Sequence, residues 1–166
     1  MTQPNLVVSN ASPLITLAKI GQFGLLEKLF GRVIIIPQAV YAEVVIRSAG
    51  GPGASETNLA DWIEVRQAVD NLAVAVLQEH LGAGESEAIV LAQTVGATLV
   101  LLDDALAKRK AERVGLTAVG TLGVLLMAKQ AGLIEAVNPP LVALRQTDFR
   151  TSARVLDEVL ARAGEL

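Results

Sequence analysis

Short apolar runs alternate with segments of helical period along this chain, and that alternation limits the folds open to it. Residues 33–36 read Val-Ile-Ile-Ile and end at Pro37, which is typical of a buried parallel strand. Residues 98–102, Thr-Leu-Val-Leu-Leu, have the strongest strand pattern, and residues 6–8 have a shorter one. Because helical segments separate these strands, the sequence predicts an α/β fold with a parallel sheet and helices on both faces.

Turn residues mark where the predicted helices begin and end. Ser12 is a candidate N-cap for a helix whose first residue is Pro13 and which ends near Gly21. Pro37 is predicted to open a helix that runs to Ile46. Residues 48–55 are rich in glycine and serine and predict a flexible loop. Further helices are predicted at 22–30, 84–95, 105–114, 121–131 and 152–163, with short strands at 63–66 and 117–119.

Composition narrows the class of protein. The 166 residues, 52% of them hydrophobic, suit a single domain spanning 1–166 with a substantial core. No apolar stretch approaches the roughly 20 residues of a spanning helix, and the start lacks a secretion signal, so we expect no membrane partner. The lack of cysteine fits a reducing compartment, and we predict a cytoplasmic location. His80 is the single histidine, too few for a two-histidine zinc site, and we assign it no role.

Polar side chains follow the two strands that the pattern defines best. Asn10 and Ser12 come directly after the first strand, and Asp103 and Asp104 after the strand at 98–102. Ligands in open parallel sheets bind beyond the carboxyl ends of the strands, so we expect these residues to share one edge.

Further acidic residues lie in the opening turns of predicted helices, at Glu43, Glu85 and Glu87. Crowded carboxylates repel one another unless a cation relieves the repulsion. Oxygen ligands without cysteine or paired histidines favour Mg²⁺ or Mn²⁺ over zinc. The residues therefore predict a metal-dependent phosphoryl-transfer site.

Each acidic candidate also has a purely structural interpretation. Asp103 or Asp104 could cap the following helix. Glu85 and Glu87 could complement the dipole of their helix; we favour that role for Glu85 and leave both roles open for Glu87. Glu43 could belong to an ordinary solvated face.

Four segments, in this order and spacing, resemble the motifs of PIN-domain proteins. Residues 7–21 contain Val-Val-Ser-Asn-Ala-Ser-Pro-Leu, and residues 36–44 read Ile-Pro-Gln-Ala-Val-Tyr-Ala-Glu-Val. Residues 84–89 read Gly-Glu-Ser-Glu-Ala-Ile, and residues 101–109 begin Leu-Leu-Asp-Asp. The resemblance covers about residues 6 to 150 and is closest to a prokaryotic subgroup related to VapC-type toxins.

The resemblance implies a three-layer α/β/α sandwich and a ribonuclease that uses Mg²⁺ or Mn²⁺. It also implies attack on an RNA phosphodiester by a metal-activated water, and an antitoxin protein as partner. The resemblance places the metal-binding positions at Asn10, Glu43, Glu87 and Asp103, with Asp104 as an extra ligand and Ser12 as a supporting hydroxyl.

Asn10 departs from the family pattern, which has Asp at this position. An amide oxygen can ligate a hard cation, but it brings no negative charge. Asp104 could replace that charge, or the chain could be a catalytically weak or inactive module that binds nucleic acid or protein. A phosphatase with a strand-end aspartate is disfavoured, because Asn10-Ala-Ser12 stands where that pattern has two aspartates.

The charge balance bears on the expected RNA partner. With 14 Lys and Arg against 17 Asp and Glu, the net charge of −3 alone argues against nucleic acid. A cation bound among clustered acids would reverse the local sign. Basic residues at 108–113, with Arg145, Arg150 and Arg154, could then hold phosphates. The amphipathic last helix, with Leu156 and Leu160 on its apolar face, suggests a homodimer.

Overall fold

The computed structural model describes residues 5–31 and 34–166 and contains a five-stranded sheet. The strand order is β3-β2-β1-β4-β5, and every neighbouring pair is parallel. The α/β prediction with a central parallel sheet is therefore confirmed. The strands are β1 (Val7–Ser9), β2 (Ile34–Pro37), β3 (Ile63–Arg66), β4 (Leu99–Leu101) and β5 (Ala118–Val119).

Ten α-helices and one π-helix surround the sheet within the described residues. The π-helix, Ala42–Arg47, directly continues α3. The α-helices are α1 (Ala11–Lys19), α2 (Gly24–Phe30), α3 (Gln38–Tyr41), α4 (Ala54–Leu59), α5 (Asn71–Gln78), α6 (Ala83–Val95), α7 (Ala105–Arg113), α8 (Thr121–Gln130), α9 (Asn138–Arg145) and α10 (Ala153–Arg162).

Alternate residues of the strands enter two separate hydrophobic cores, because successive side chains of a strand point to opposite faces. Val7, Ile34 and Ile36 pack in the core shared with α1, α2, α8, α9 and α10. Val8 and Ile35 pack in the opposite core, shared with α6 and α7. These strand residues are all nearly inaccessible to solvent. Helices therefore cover both faces, and the result is the predicted three-layer sandwich.

The start of the first helix differs from the prediction. Helix α1 begins at Ala11 with Asn10 as its N-cap residue, so the predicted cap at Ser12 is wrong. The Ser12 hydroxyl instead donates a hydrogen bond to the Asp103 carboxylate. A long-range partner has taken the place of the local capping interaction that residue type alone suggests.

Three helices were not expected from the sequence, namely α4, α5 and α9. Helix α4 begins at Ala54, inside the predicted flexible loop, where Gly53 takes a left-handed conformation just before it. Helix α5 is apolar from Leu72 to Leu77 and exposes Leu72 and Val76, so it lacks the separate apolar and polar faces that mark an amphipathic helix in a sequence. The predicted strand start at Val33 lies outside the described residues.

The apolar face of the last helix packs on its own chain. Leu156 and Leu160 belong to the core beneath α1 and α8. The helical pattern that suggested a homodimer is therefore explained by intrachain packing, and the dimer itself stays a prediction.

Leu14 on α1 provides a test of the core. It is fully buried, so Leu14→Ala is expected to lower the free energy of unfolding by about 2–5 kcal/mol through lost burial and a residual cavity. Urea denaturation followed by circular dichroism measures the change. Leu59→Ala on α4 is the matched control, because Leu59 is 80% exposed and should change stability by no more than about 0.5 kcal/mol. Equal losses for the two variants would contradict the assigned core.

Candidate metal and nucleic-acid site

A cavity opens where the strand order reverses, beyond the carboxyl ends of β1 and β4. The register pairs Ser9 with Leu101, and the Asn10 backbone N–H donates to the Leu101 carbonyl at 3.0 Å. This pairing brings residues that follow β1 beside those that follow β4, as expected for the binding edge of a parallel sheet. The cavity has a volume of about 770 Å³, and its acidic and amide lining residues are Asn10, Glu43, Glu85, Asp103, Asp104 and Asp148.

Asn10 has a buried side-chain oxygen without a hydrogen-bond partner. The residue is 7% exposed, and its Oδ1 accepts no hydrogen bond from the described part of the chain. A buried polar atom of this kind costs free energy unless a ligand, ion or water satisfies it. Asn10 thus offers a free oxygen ligand at the wall of the cavity.

Gly84 keeps a space open between Asn10 and Glu43. A Cβ atom at Gly84 would lie 2.9 Å from Asn10 Oδ1 and 3.4 Å from Glu43 Oε2. Any larger residue there would therefore press on both oxygens. The absence of a side chain at position 84 leaves room where a small ligand could reach the amide and the carboxylate together.

Asp103 is held by hydrogen bonds from two helices. Its Oδ1 accepts from the Thr121 backbone N–H at 2.7 Å, and its Oδ2 accepts from the Ser12 and Thr121 hydroxyls at 2.7 and 2.8 Å. Three of the roughly four lone-pair sites of the carboxylate are therefore used. These bonds fix the orientation of Asp103 at the cavity wall.

Asp104 caps the helix that follows it and also lies in the cavity lining. Its Oδ2 accepts from the Ala107 backbone N–H at 2.9 Å and so caps α7. The same residue lines the cavity. Capping uses one carboxylate oxygen and leaves Oδ1 for another partner.

The structure places Glu85 and Glu87 on different sides of α6, because side chains two residues apart on a helix do not share a face. Glu85 lines the cavity. Glu87 is absent from its lining, and its Oε1 accepts from the Ala39 backbone N–H at 3.3 Å, near the start of α3. Glu85 is therefore the residue that sequence reasoning passed over. The missing signal was which side of α6 packs inward, where Ser86, Ala88 and Ile89 are buried.

The environment of Glu85 disfavours its ionised form. Burial raises the pKa of this half-buried carboxyl above its ordinary value, and the nearby charges of Asp104 and Glu43 raise it further. The raised pKa of Glu85 is thus due first to its partial burial and second to the carboxylates that share the cavity with it.

The π-helix places Glu43 and Arg47 in the cavity lining. Its buried residue Val44 packs in the core, while Glu43 remains exposed. Segments of π-helix are frequent at functional sites, since the wider turn redirects side chains. This geometry was not predictable from residues 37–46, which have an ordinary helical pattern.

Basic side chains also line the cavity, at Lys19, Arg47 and Arg150. Lys19 Nζ donates to Asp148 Oδ1 at 2.6 Å, and this hydrogen bond is the main cause that lowers the pKa of Asp148. Of the basic residues that the sequence proposed for phosphates, Arg150 lines the cavity. Arg145, Arg154 and the 108–113 segment are absent from its lining. Lys108 nevertheless lies near Asp103, because a Cβ atom added at Gly120 would be 2.8 Å from both Lys108 Nζ and Asp103 Oδ1.

The donor set fits a hydrated divalent cation better than a closed protein cage. Within residues 5–31 and 34–166, no three acidic or histidine side chains form a compact metal-binding group. Mg²⁺ commonly keeps several waters and takes only one or two carboxylates. The unpartnered oxygen of Asn10, the space beside Gly84 and the crowded carboxylates agree with such an ion.

The chain belongs to a family described as a PIN domain, whose sequence model matches residues 6–165. The predicted PIN resemblance is therefore confirmed. PIN domains are generally nucleases, and PIN nucleases typically use divalent metals. No curated protein matches the chain. In the described part of the chain, every helix is too short or too polar to cross a membrane.

The raised pKa of Glu85 predicts a pH-dependent stability. Because the folded protein binds this proton more tightly than the unfolded chain, the contribution of Glu85 favours folding at acid pH. That contribution is lost as pH rises from the ordinary value through the raised pKa. Glu85→Gln is therefore expected to flatten the fall in unfolding free energy toward neutral pH, measured by urea denaturation in EDTA.

Glu79→Gln makes the same change at an exposed position, the C-cap of α5, and serves as the control. If wild type, Glu85→Gln and Glu79→Gln have the same pH slope, the crowding of Glu85 is not a property of the folded protein.

Proposed function

We propose that this protein is a metal-dependent ribonuclease that hydrolyses RNA phosphodiester bonds. The unpartnered Asn10 oxygen, which faces the space kept open by Gly84 beside Glu43, is the observation that carries the proposal. A PIN-domain cavity that combines a buried oxygen of this kind with acidic and basic side chains suits a cation and a phosphate.

The proposed metal ligands are drawn from Asn10, Glu43, Asp103 and Asp104, with Glu85 joining them from the cavity wall. Glu87 is retained from the family pattern as a candidate, although its bond to Ala39 N supports a capping role for α3. Ser12 and Thr121 orient Asp103. A bound Mg²⁺ or Mn²⁺ would supply positive charge to the phosphate and lower the pKa of water.

The basic side chains of the same cavity support the proposed substrate class. Lys19, Arg47 and Arg150 can pair with phosphates of the chain being cut. In the hydrolysis, water oxygen forms a bond to phosphorus, one phosphorus–oxygen ester bond breaks, and a proton from water ends on the leaving oxygen. The 2′-hydroxyl of RNA does not take part in this hydrolysis, so the reaction itself does not distinguish RNA from DNA. The preference for RNA is therefore part of the proposal.

Cleavage of a labelled single-stranded RNA in Mn²⁺ tests the proposal. Glu43→Gln and Asp103→Asn are each expected to reduce the cleavage rate by roughly a hundredfold, because each removes a negative charge from the proposed metal site. Gel electrophoresis of the products measures the rate.

Asp157→Asn, on the exposed side of α10, removes the same charge without touching the cavity lining and should cleave like wild type. Circular dichroism checks that Asp103→Asn folds, since Asp103 joins two helices; Glu43 is exposed and provides the independent variant. Identical rates for wild type and both site variants would overturn the nuclease proposal. They would favour the alternative of an inactive PIN-fold binding module.

Two substitutions should change Mn²⁺ affinity in opposite directions. Asn10→Asp adds a charge at the proposed ligand and should tighten binding. Gly84→Ala places a methyl group against Asn10 Oδ1 and Glu43 Oε2 and should weaken binding by about tenfold or more. Isothermal titration calorimetry measures both affinities.

Gly24→Ala is the matched control, since it lies in the exposed first turn of α2 and a Cβ there meets no atom within 4 Å. Weaker binding by Asn10→Asp, or an unchanged affinity in Gly84→Ala, would contradict the proposed position of the ion.

The biological setting is also proposed as the toxin of a type II toxin–antitoxin pair, in the cytoplasm, acting as a homodimer with an antitoxin partner. Helix α10 does not supply the free apolar face first suggested for a dimer. Exposed apolar side chains near and on α5, namely Val69, Leu72 and Val76, support a different contact surface. Light scattering of the purified protein tests the dimer.

A further inference from the structure

Lys19 and Asp148, two oppositely charged side chains of the cavity lining, form an ion pair. Lys19 ends α1, the same helix that carries Ser12, and Asp148 lies in the segment between α9 and α10. Their 2.6 Å hydrogen bond joins parts of the chain that are 129 residues apart in sequence. Both residues line the cavity that contains Asn10 and Asp103.

In the Lys19–Asp148 pair, the Lys19 ammonium group binds the Asp148 carboxylate, and a phosphate could take the place of that carboxylate. The carboxylate of Asp148 is 84% exposed, whereas the Lys19 side chain is 28% exposed. Lys19 is therefore restrained by its surroundings, and Asp148 is free to turn into solvent. Exposed ion pairs contribute little net free energy, so this one can open at small cost.

We propose that Asp148 is a built-in competitor for the phosphate that Lys19 binds. In this arrangement Lys19 is a substrate-binding residue, and Asp148 occupies its ammonium group until a nucleic-acid phosphate displaces the carboxylate. The inference rests on the proposed function, because it takes single-stranded RNA as the ligand of the same cavity.

The location of the other charges agrees with this exchange. Arg47 and Arg150 line the same cavity as Lys19, so a phosphate that replaces Asp148 would meet further positive charge. Among the acidic lining residues that the structure describes, Asp148 is the one that forms an ion pair with a cation of the cavity. A carboxylate in this position weakens RNA binding and favours release.

A double-mutant cycle tests the competition. Binding of a fluorescein-labelled single-stranded oligoribonucleotide is measured by anisotropy in Mg²⁺, and a gel confirms that the RNA is intact at the end. Asp148→Asn is expected to tighten binding by about two- to fivefold, the range of an exposed ion pair. Lys19→Met keeps the aliphatic stem and should weaken binding by a similar factor. In the double variant, Asp148→Asn should lose most of its effect.

Asp157→Asn controls for the change in net charge and should bind like wild type. Three results would overturn the competition: equal affinities for Asp148→Asn and Asp157→Asn, an equal gain with and without Lys19, or no binding by any variant. Cleavage of the same RNA by wild type in Mn²⁺ is scored separately. Coupling without cleavage would overturn the nuclease proposal alone, and cleavage without coupling would overturn the competition alone.

Discussion

The parallel pairing of β1 with β4 is the constraint on which the candidate site depends. The chain places β2 and β3 on one side of β1, and β4 and β5 on the other, so two connections leave the same edge in opposite directions. A cavity forms between them because no connection covers the gap. This topology brings Asn10 next to Asp103, across more than ninety residues of sequence, before any side-chain contact is considered.

The sequence predicted the fold more completely than the site. Apolar stretches such as 34–36 and 100–102 are buried on both faces of the sheet, and that burial leaves a direct pattern in residue type. Helix α5 leaves no such pattern because its apolar residues are either exposed or only partly buried, so burial does not separate an apolar face from a polar one. The π-helix also gives no signal, since one wider turn hardly alters the spacing of apolar residues. The sequence therefore predicts best the elements whose residue types are determined by burial in the core.

At the site, the strand ends were predictable and the helix faces were not. Asn10, Asp103 and Asp104 follow strands directly, so their position depends only on the topology. The choice between Glu85 and Glu87 depends on which side of α6 packs inward, because side chains two residues apart on a helix do not share a face. Ser12 shows the same limit, because its local capping role loses to Asp103, a partner 91 residues away.

Asp103 and Asn10 differ in how much a substitution at each would disturb the fold. Asp103 joins α1, the end of β4 and α8, so replacing it removes a tie between three elements as well as a carboxylate. The Asn10 side-chain oxygen holds no other part of the described chain. A substitution at position 10 therefore breaks no hydrogen bond made by that oxygen to another element. Because position 10 is buried near the Glu43 carboxylate, a negative charge added there depends on a bound cation to offset the repulsion, so the stability of such a variant would become dependent on metal.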